Sequence, residues 1–500
     1  MEGAPPRARG RTGGLLSTVR RASPEGRWLL AAAVLGSGLA ALDATVINVA
    51  LPAIGEDLDT DIAGLQWILN GYLLTLAAFL LLGGSLGDRF GRRRVFAIGV
   101  VWFAGASLLC GLAPNVEVLV AARALQGVGG ALLTPGSLAL LQAGLHPDDR
   151  AAAIGAWSGL GGVATAIGPF AGGWLVDAAS WRWIFLLNVP LAVLTLVAVR
   201  HVPESRDETM PPGLDVLGAV TAAVGLAGVT WALIGAESGA SGVPVAAAVG
   251  VASLLGFVAV QARSPHPLMP LELFANRWFT ATNVVTLALY FALSGSFFLL
   301  TVHLQVTLGY SPLEAGAALF PLTVVMLLLS ARSAALGQRI GPRVPMTVGP
   351  LVAGIGLLWL SRVAGGSTYV ADLLPALLLF ALGLVTTVAP LTATALASAE
   401  ERHAGIASGV NNTVARTAGL LAVAALPGLA GIGSEEFADA ARFTDGYETA
   451  LTITGLLAVA SGIVALLTLT GRPEARHDLA PPLTNCPLDA PALRTGTRTG

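Results

Sequence analysis

From Trp28 the chain runs WLLAAAVLGSGLAALDATVINVALP, apolar throughout except for one ionisable residue, Asp43. Runs of this kind recur to the far end of the chain, and a bilayer-spanning helix needs about 20 mostly apolar residues. They lie at 28–52, 63–84, 94–113, 116–143, 151–177, 182–201, 214–236, 243–262, 278–303, 312–335, 344–363, 371–397, 403–432 and 447–470. The pattern predicts about fourteen transmembrane helices. The pairs 94–113/116–143 and 151–177/182–201 are separated by so few residues that each predicts a helical hairpin.

The polar breaks orient these spans, because cytoplasmic loops keep an excess of basic residues. Arg7, Arg9, Arg11, Arg20, Arg21 and Arg27 precede the first span, and Arg89, Arg92, Arg93 and Arg94 follow the second. Later loops on that side hold Arg150, Arg206, Arg263, Arg277, Arg339, Arg343 and Arg402. The opposite side holds Arg182, Arg362 and Arg442, and its first loop, GEDLDTD, is acidic. Both termini are therefore expected in the cytoplasm. The first span carries no small-residue cleavage site and returns to a second span, so it is expected to be retained rather than cleaved as a signal peptide.

Composition agrees. The chain is 500 residues long, 54% hydrophobic and 12% charged, where a soluble chain carries about 25% charged residues. It contains no lysine, so a phosphate-binding loop of the form G-x-x-x-x-G-K-[ST] is absent. Any energy-driven work must draw on an ion gradient or a partner ATPase. Cys110 and Cys486 form no disulfide framework, and the six histidines are scattered without metal-ligand spacing, so no metal and no cofactor is expected.

GSLGDRFGRRR at 84–94 has a counterpart in ARSAALGQRIGPR at 331–343. Aligning Gly91 with Gly341 places Leu86 on Leu336, Arg89 on Arg339 and Arg93 on Arg343, with Gln338 where the first copy has Asp88. Each copy follows the second span of a six-span group, which predicts two homologous halves. The expected order is an arginine-rich cytoplasmic tail (1–27), a six-helix bundle (28–201), a linker with two additional transmembrane helices (202–277), a second six-helix bundle (278–470) and a cytoplasmic tail (471–500).

Several polar residues lie inside the spans. Asp43 sits roughly 22 Å into the first span at about 1.5 Å per residue. A charge there costs about 2.5–3.5 kcal/mol on insertion scales, so such acids are functional by default. Asp43 reads as a proton or cationic-substrate site, and alternatively as a structural acid bonded to a neighbouring helix; Gly36, Ala40 and Ala50 on its face permit close approach. Arg123 heads a stripe with Gln126, Gly127, Gly130, Thr134 and Ser137, all within about 60° of it on a helical wheel. An arginine so early in its span can instead snorkel to the interface. Arg416 shares a face with Ser408 and Asn412, and needs a partner the sequence does not name. Asn283, Thr286, Tyr290, Ser294 and Phe297 form a further stripe, read either as substrate contact or as helix packing. His303 and Glu237, near outer ends of spans, read as solvated.

These motifs together resemble the fourteen-span drug:proton antiporter branch of the major facilitator superfamily: LDATVINVALP in the first helix, GSLGDRFGRRR in the following loop, RALQGVGGA in the fourth helix, AIGPFAGG in the fifth and WRWIFLLNVP at 181–190. The resemblance covers nearly the whole chain and implies an all-α integral membrane protein of two six-helix bundles plus two extra central helices. It implies that Arg123 takes part in proton coupling. It implies that Gly84, Asp88, Arg89, Gly91 and Arg92 form a conformational latch against the other half. Gly168, Pro169, Gly172 and Gly173 would be an antiporter motif, with the fifth span's other glycines, Gly155, Gly159 and Gly162 among them, helping to seal the bundles together. The expected activity is proton-driven efflux of small amphipathic or cationic compounds by alternating access, with Asp43, Arg123, Gln126, Arg416, Asn412 and Tyr290 serving protons or substrate. The expected partners are a small-molecule substrate, protons and the lipid bilayer of the cell membrane, with no nucleic acid and a monomeric state. A dedicated exporter of one endogenous metabolite and proton-coupled uptake are the alternatives within transport. A non-transporting receptor or scaffold predicts a large soluble domain, which no loop or tail is long enough to supply, and an enzyme predicts a clustered catalytic set, which the spans lack.

Overall fold

The computed structural model describes residues 18–206, 213–399 and 404–470. Arg7, Arg9, Arg11, Arg402 and Cys486 lie outside the described residues. Among the described residues, regular structure is helical apart from an isolated bridge between Val19 and Leu145. A bilayer offers the backbone no water, so each span must satisfy its own N–H and C=O groups. Local sequence starts the helices cleanly. Ser23 caps α1 (Pro24–Asp57), Asp61 caps α2 (Ile62–Phe90), and α3 (Arg92–Gly111) follows at once. Asn115 caps α4 (Val116–Gly144), and α5 (Pro147–Ala178) opens on a proline, whose missing N–H is harmless there.

The next span is broken at Leu187 into α6 (Trp183–Leu186) and α7 (Asn188–Val199). The chain continues through α8 (Val216–Glu237), α9 (Val243–Arg263), α10 (Arg277–Val306), α11 (Pro312–Ala318) and α12 (Phe320–Ile340). It ends with α13 (Arg343–Leu360), α14 (Leu374–Ala397), α15 (Ala404–Leu429), α16 (Ser434–Ala438) and α17 (Ala440–Thr468). Among the described residues, twelve helical segments are long and apolar enough to cross a membrane. The remaining two expected spans are also helical, 183–199 in its two pieces and Ala404–Leu429, so the figure of fourteen is an approximation. The chain is a multi-pass membrane protein.

Glycines set the distances between helices. Gly83 of α2 lies against the carbonyl of Ala131 in α4. Gly129 of α4 lies against the backbone of Phe103 in α3, and in the second half Gly383 of α14 lies in the same way against Ala353 of α13. Phe103 and Ala353 correspond under the alignment of Gly91 with Gly341, so the repeated loop is followed by a repeated helix crossing. Both loop glycines have positive φ, 109° and 83°, which a side chain would strain.

The pair α8/α9 packs on itself through Gly228 and Gly250. It docks along the seam between α2 and α15: Leu226 joins a cluster with Ala77 and Leu420, and Trp67 meets Trp231 at 5.6 Å between ring centroids. The outer surface of α9, with Val245 and Leu255 each 67% exposed, is left to lipid.

The helices on either side of this pair form two halves that meet unequally along their length. On the side opposite the chain's tails, Asp177 accepts a hydrogen bond from Leu313 N–H at 3.0 Å, Gln305 donates to Val49 C=O at 3.0 Å, Gln66 donates to Val423 C=O at 2.9 Å and Ser434 donates to Asp61 at 2.8 Å. Gly173 and Pro169 of α5 touch Pro312 and Gly316 of the second half there. Toward the tail side, Gly155, Gly159 and Gly162 continue the same face of α5, yet a methyl group added at any of them would meet nothing within 4 Å. Along α5 the halves are closed on the far side and parted on the tail side, whereas α2 and α15 stay in contact toward the tails, Leu81 lying against Gly409.

Widening the far-side contact should open it. Gly173→Val forces overpacking worth about 1–3 kcal/mol. In a Cys486→Ser background, Leu313→Cys should react about tenfold faster with a membrane-impermeant maleimide applied from the far side when Gly173→Val is present. An unchanged rate would show that this contact does not hold the side closed.

Candidate functional site

Asp43 and Arg123 are each other's partners. Arg123 Nη1 lies 2.6 Å from Asp43 Oδ2, and the side chains are 1% and 2% exposed. The other carboxylate oxygen, Oδ1, accepts hydrogen bonds from Gln126 Nε2 at 2.8 Å and from Asn188 Nδ2 at 2.9 Å. Arg123 also donates to Gln126 Oε1 at 2.6 Å and to Ile68 C=O at 3.2 Å. Ser107 Oγ ties the two amides together, accepting from Gln126 at 2.7 Å and from Asn188 at 2.9 Å. The Arg123 guanidinium stands over the Tyr72 ring at 4.5 Å and near Phe185 at 5.7 Å. Thus α1, α2, α3, α4, α6 and α7 all contribute to one buried cluster.

Sequence reasoning treated Asp43 and Arg123 separately and allowed Arg123 to snorkel; instead it turns inward and is buried. The bonded alternative for Asp43 describes its geometry in this conformation, where Arg123 compensates its charge. Ser107 and Asn188 were missed. Ser107 is a single hydroxyl in an apolar helix and gives no signal. Asn188 lies in WRWIFLLNVP, two residues before Pro190, where the span breaks; that break starts α7 with the amide facing Asp43. Trp181 and Arg182 of the same motif clamp Asp57 at 3.0 and 2.7 Å on the far side.

The second half has a smaller network. Asn411 of α15 donates to Asn283 at 3.1 Å and to Thr286 at 2.8 Å on α10. The stripe beginning at Asn283 is therefore partly helix packing, and Asn411 rather than Asn412 joins the helices. Asn412 is exposed and bonds only within its own helix, to Ser408 C=O at 3.3 Å. Phe297 packs on Phe380 at 6.3 Å. Arg416 is partly buried and has no carboxylate within ion-pair distance among the described residues.

The expected latch keeps to its own half. Arg92 pairs with Asp88 at 2.7 Å, and Arg89 stands over Phe90. Glu204, which the sequence did not single out, accepts from Arg93 N–H at 3.0 Å and Arg94 N–H at 3.2 Å at the start of α3, and a side chain at Gly91 would collide with it. Gly84 lies opposite Pro135 of α4. Among the described residues none of these groups has a hydrogen bond or ion pair to the second half. Of the residues expected to form an antiporter motif, Gly168 and Gly172 pack on Thr45 and Val46 of α1, and Gly173 and Pro169 reach the second half. The expected seal stops there, because Gly155, Gly159 and Gly162 pack on nothing.

His303 and Glu237 are not solvated, contrary to expectation. His303 is fully buried, stacked on Tyr447 at 3.8 Å and bonded to Val363 C=O at 2.8 Å. Glu237 is half-buried against Gly428. Both positions are shielded by α17 or α15 rather than by water. No group of three or more metal-ligating side chains occurs among the described residues.

A family model described as Major Facilitator Superfamily matches residues 33–423. The tetracenomycin C resistance and export protein of Streptomyces glaucescens is 37% identical over 402 residues, covering 80% of this chain and 74% of its own. The puromycin resistance protein pur8 of Streptomyces alboniger is 34% identical over 471 residues, covering 91% and 93%. Among solved structures, an inward-facing bacterial homolog of the human lysosomal transporter Spinster superimposes with a TM-score of 0.64 at 17% identity, covering 89% of this chain and 97% of that one.

The buried pair predicts a specific stability pattern. Asp43→Asn leaves the Arg123 charge uncompensated, a change that costs about 3–5 kcal/mol. Its thermal unfolding midpoint in detergent should fall clearly, and Asp43→Asn combined with Arg123→Gln should recover most of the loss. Equal destabilisation of the single and double variants would show that the pair does not carry the cluster's stability.

Proposed function

The chain belongs to the major facilitator superfamily and is a membrane transporter; from that premise we propose that it exports small amphipathic, antibiotic-like compounds in exchange for protons. The observation that carries the coupling is the pairing of Asp43 with Arg123 deep in the first half. Arginine placement supports a cytoplasmic tail side, and the open tail-side face of α5 would then admit substrate from inside. Rocking of the halves then closes the tail side and opens the far side. A proton arriving from outside neutralises Asp43 and releases Arg123 from its ion pair, while Gln126 and Asn188 keep the acid in position. The freed guanidinium is the charge whose re-pairing drives the reset. A potential of 100 mV supplies about 2.3 kcal/mol per charge moved.

Export rather than uptake is supported by the resistance and export names of the relatives. Their names also favour a second reading, a dedicated exporter, because each of the two relatives described above is named for one antibiotic. The same cycle serves both readings.

Everted vesicles carrying the protein should take up an antibiotic from a panel when a proton gradient is imposed, and should release protons as they do so. Asp43→Asn should reduce gradient-driven uptake at least about tenfold while leaving counterflow exchange of substrate in place. Unchanged gradient dependence in Asp43→Asn would move the coupling site elsewhere. Competition by many unrelated compounds would mark a multidrug exporter, and competition by one scaffold a dedicated one.

A further inference from the structure

We propose that Arg416 binds the acidic group of the exported compound, so that the central site selects organic anions; this rests on the export reading above. Asp43 is the carboxylate nearest the middle of the spans among the described residues, and Arg123 already holds it at 2.6 Å. The other described carboxylates of the spans lie toward helix ends. The middle of the molecule therefore contains a compensated pair and, in Arg416, a second guanidinium with no carboxylate at ion-pair distance. The site as a whole is positive.

Arg416 also lies where a substrate would pass. Gly409, about two turns earlier on nearly the same face, meets Leu81 of α2 at 3.0 Å. Gly419, in the turn after Arg416, meets Ser294 of α10 at 2.9 Å and Leu73 of α2 at 3.9 Å. Arg416 thus sits at the seam of the two halves, between α2 and α10, rather than against lipid. Ser408 and exposed Asn412 continue its face toward the side on which the halves part. A planar guanidinium with five N–H donors and no carboxylate at ion-pair distance suits a carboxylate or an ionised phenol and disfavours an ammonium group. The cationic substrates expected from Asp43 alone are accordingly disfavoured.

The test uses one scaffold in three charge states: a coumarin carboxylate, its methyl ester and its aminoethyl amide. Binding to the purified full-length protein is read by fluorescence anisotropy, and transport by uptake into everted vesicles. The carboxylate should bind about tenfold or more tightly than the ester, as charge-assisted hydrogen bonds predict, and the amide more weakly than either. Arg416→Gln should erase that preference, and Arg416→Lys should restore part of it. Binding of the ester or amide as tight as the carboxylate by the unaltered protein would overturn the proposal, and so would a preference retained in Arg416→Gln. If Arg416→Gln fails to fold, the comparison of the three probes on the unaltered protein decides alone. Anion-selective binding with no uptake of any probe would count against export and leave the anion site supported.

Discussion

One ion pair governs the first half of this molecule. A carboxylate or a guanidinium alone in the middle of a bilayer is expensive, and together they are tolerable only if their remaining hydrogen-bonding capacity is met. Asp43 and Arg123 meet that condition by drawing in Gln126, Asn188 and Ser107. This requirement fixes how closely α1, α3, α4 and α7 must approach. Gly36 of α1 against the Phe96 ring and Gly129 of α4 against Phe103 make the approach possible. The break at Leu187 serves the same end by starting α7 with an amide directed at the carboxylate.

The second half repeats the crossing of its third and fourth helices without repeating the pair. Gly383 and Ala353 stand where Gly129 and Phe103 stand, but the polar content between α10 and α15 is neutral, Asn283, Thr286 and Asn411. Its charge, Arg416, is displaced to the seam. The two halves therefore differ in charge: one encloses the Asp43–Arg123 ion pair, and the other carries Arg416, which has no carboxylate at ion-pair distance among the described residues. Tyr72 lies under the Arg123 guanidinium, its ring centroid 4.5 Å away.

The two halves meet unequally along their length. Closure on the far side combines hydrogen bonds and close glycine contacts with apolar side chains of both halves, Val46, Leu51 and Leu65 of the first and Leu300, Leu319 and Leu426 of the second sharing one buried cluster. On the tail side, Asp88, Arg89 and Arg92 bond within their own half, so the loop is preassembled by Glu204 before any partner arrives.

The sequence by itself determined that this is a membrane protein, where its helices run, that it is built as a repeat and which polar residues stand inside the spans. Those properties are local: twenty apolar residues, a capping serine or aspartate, a glycine at a positive φ and an isolated charge are legible wherever they occur. What the tertiary structure decided is which of these residues meet. Asp43 and Arg123 are eighty positions apart, as are Ser107 and Asn188 eighty-one. Which of the adjacent Asn411 and Asn412 turns toward α10 depends on how α15 is rotated, and no local pattern sets that rotation. The same holds for the glycines of α5. Identical residues on one helix face pack tightly at Gly173 and stand open at Gly155, because the second half touches only one end of the helix, and that is a property of two packed bodies rather than of one sequence.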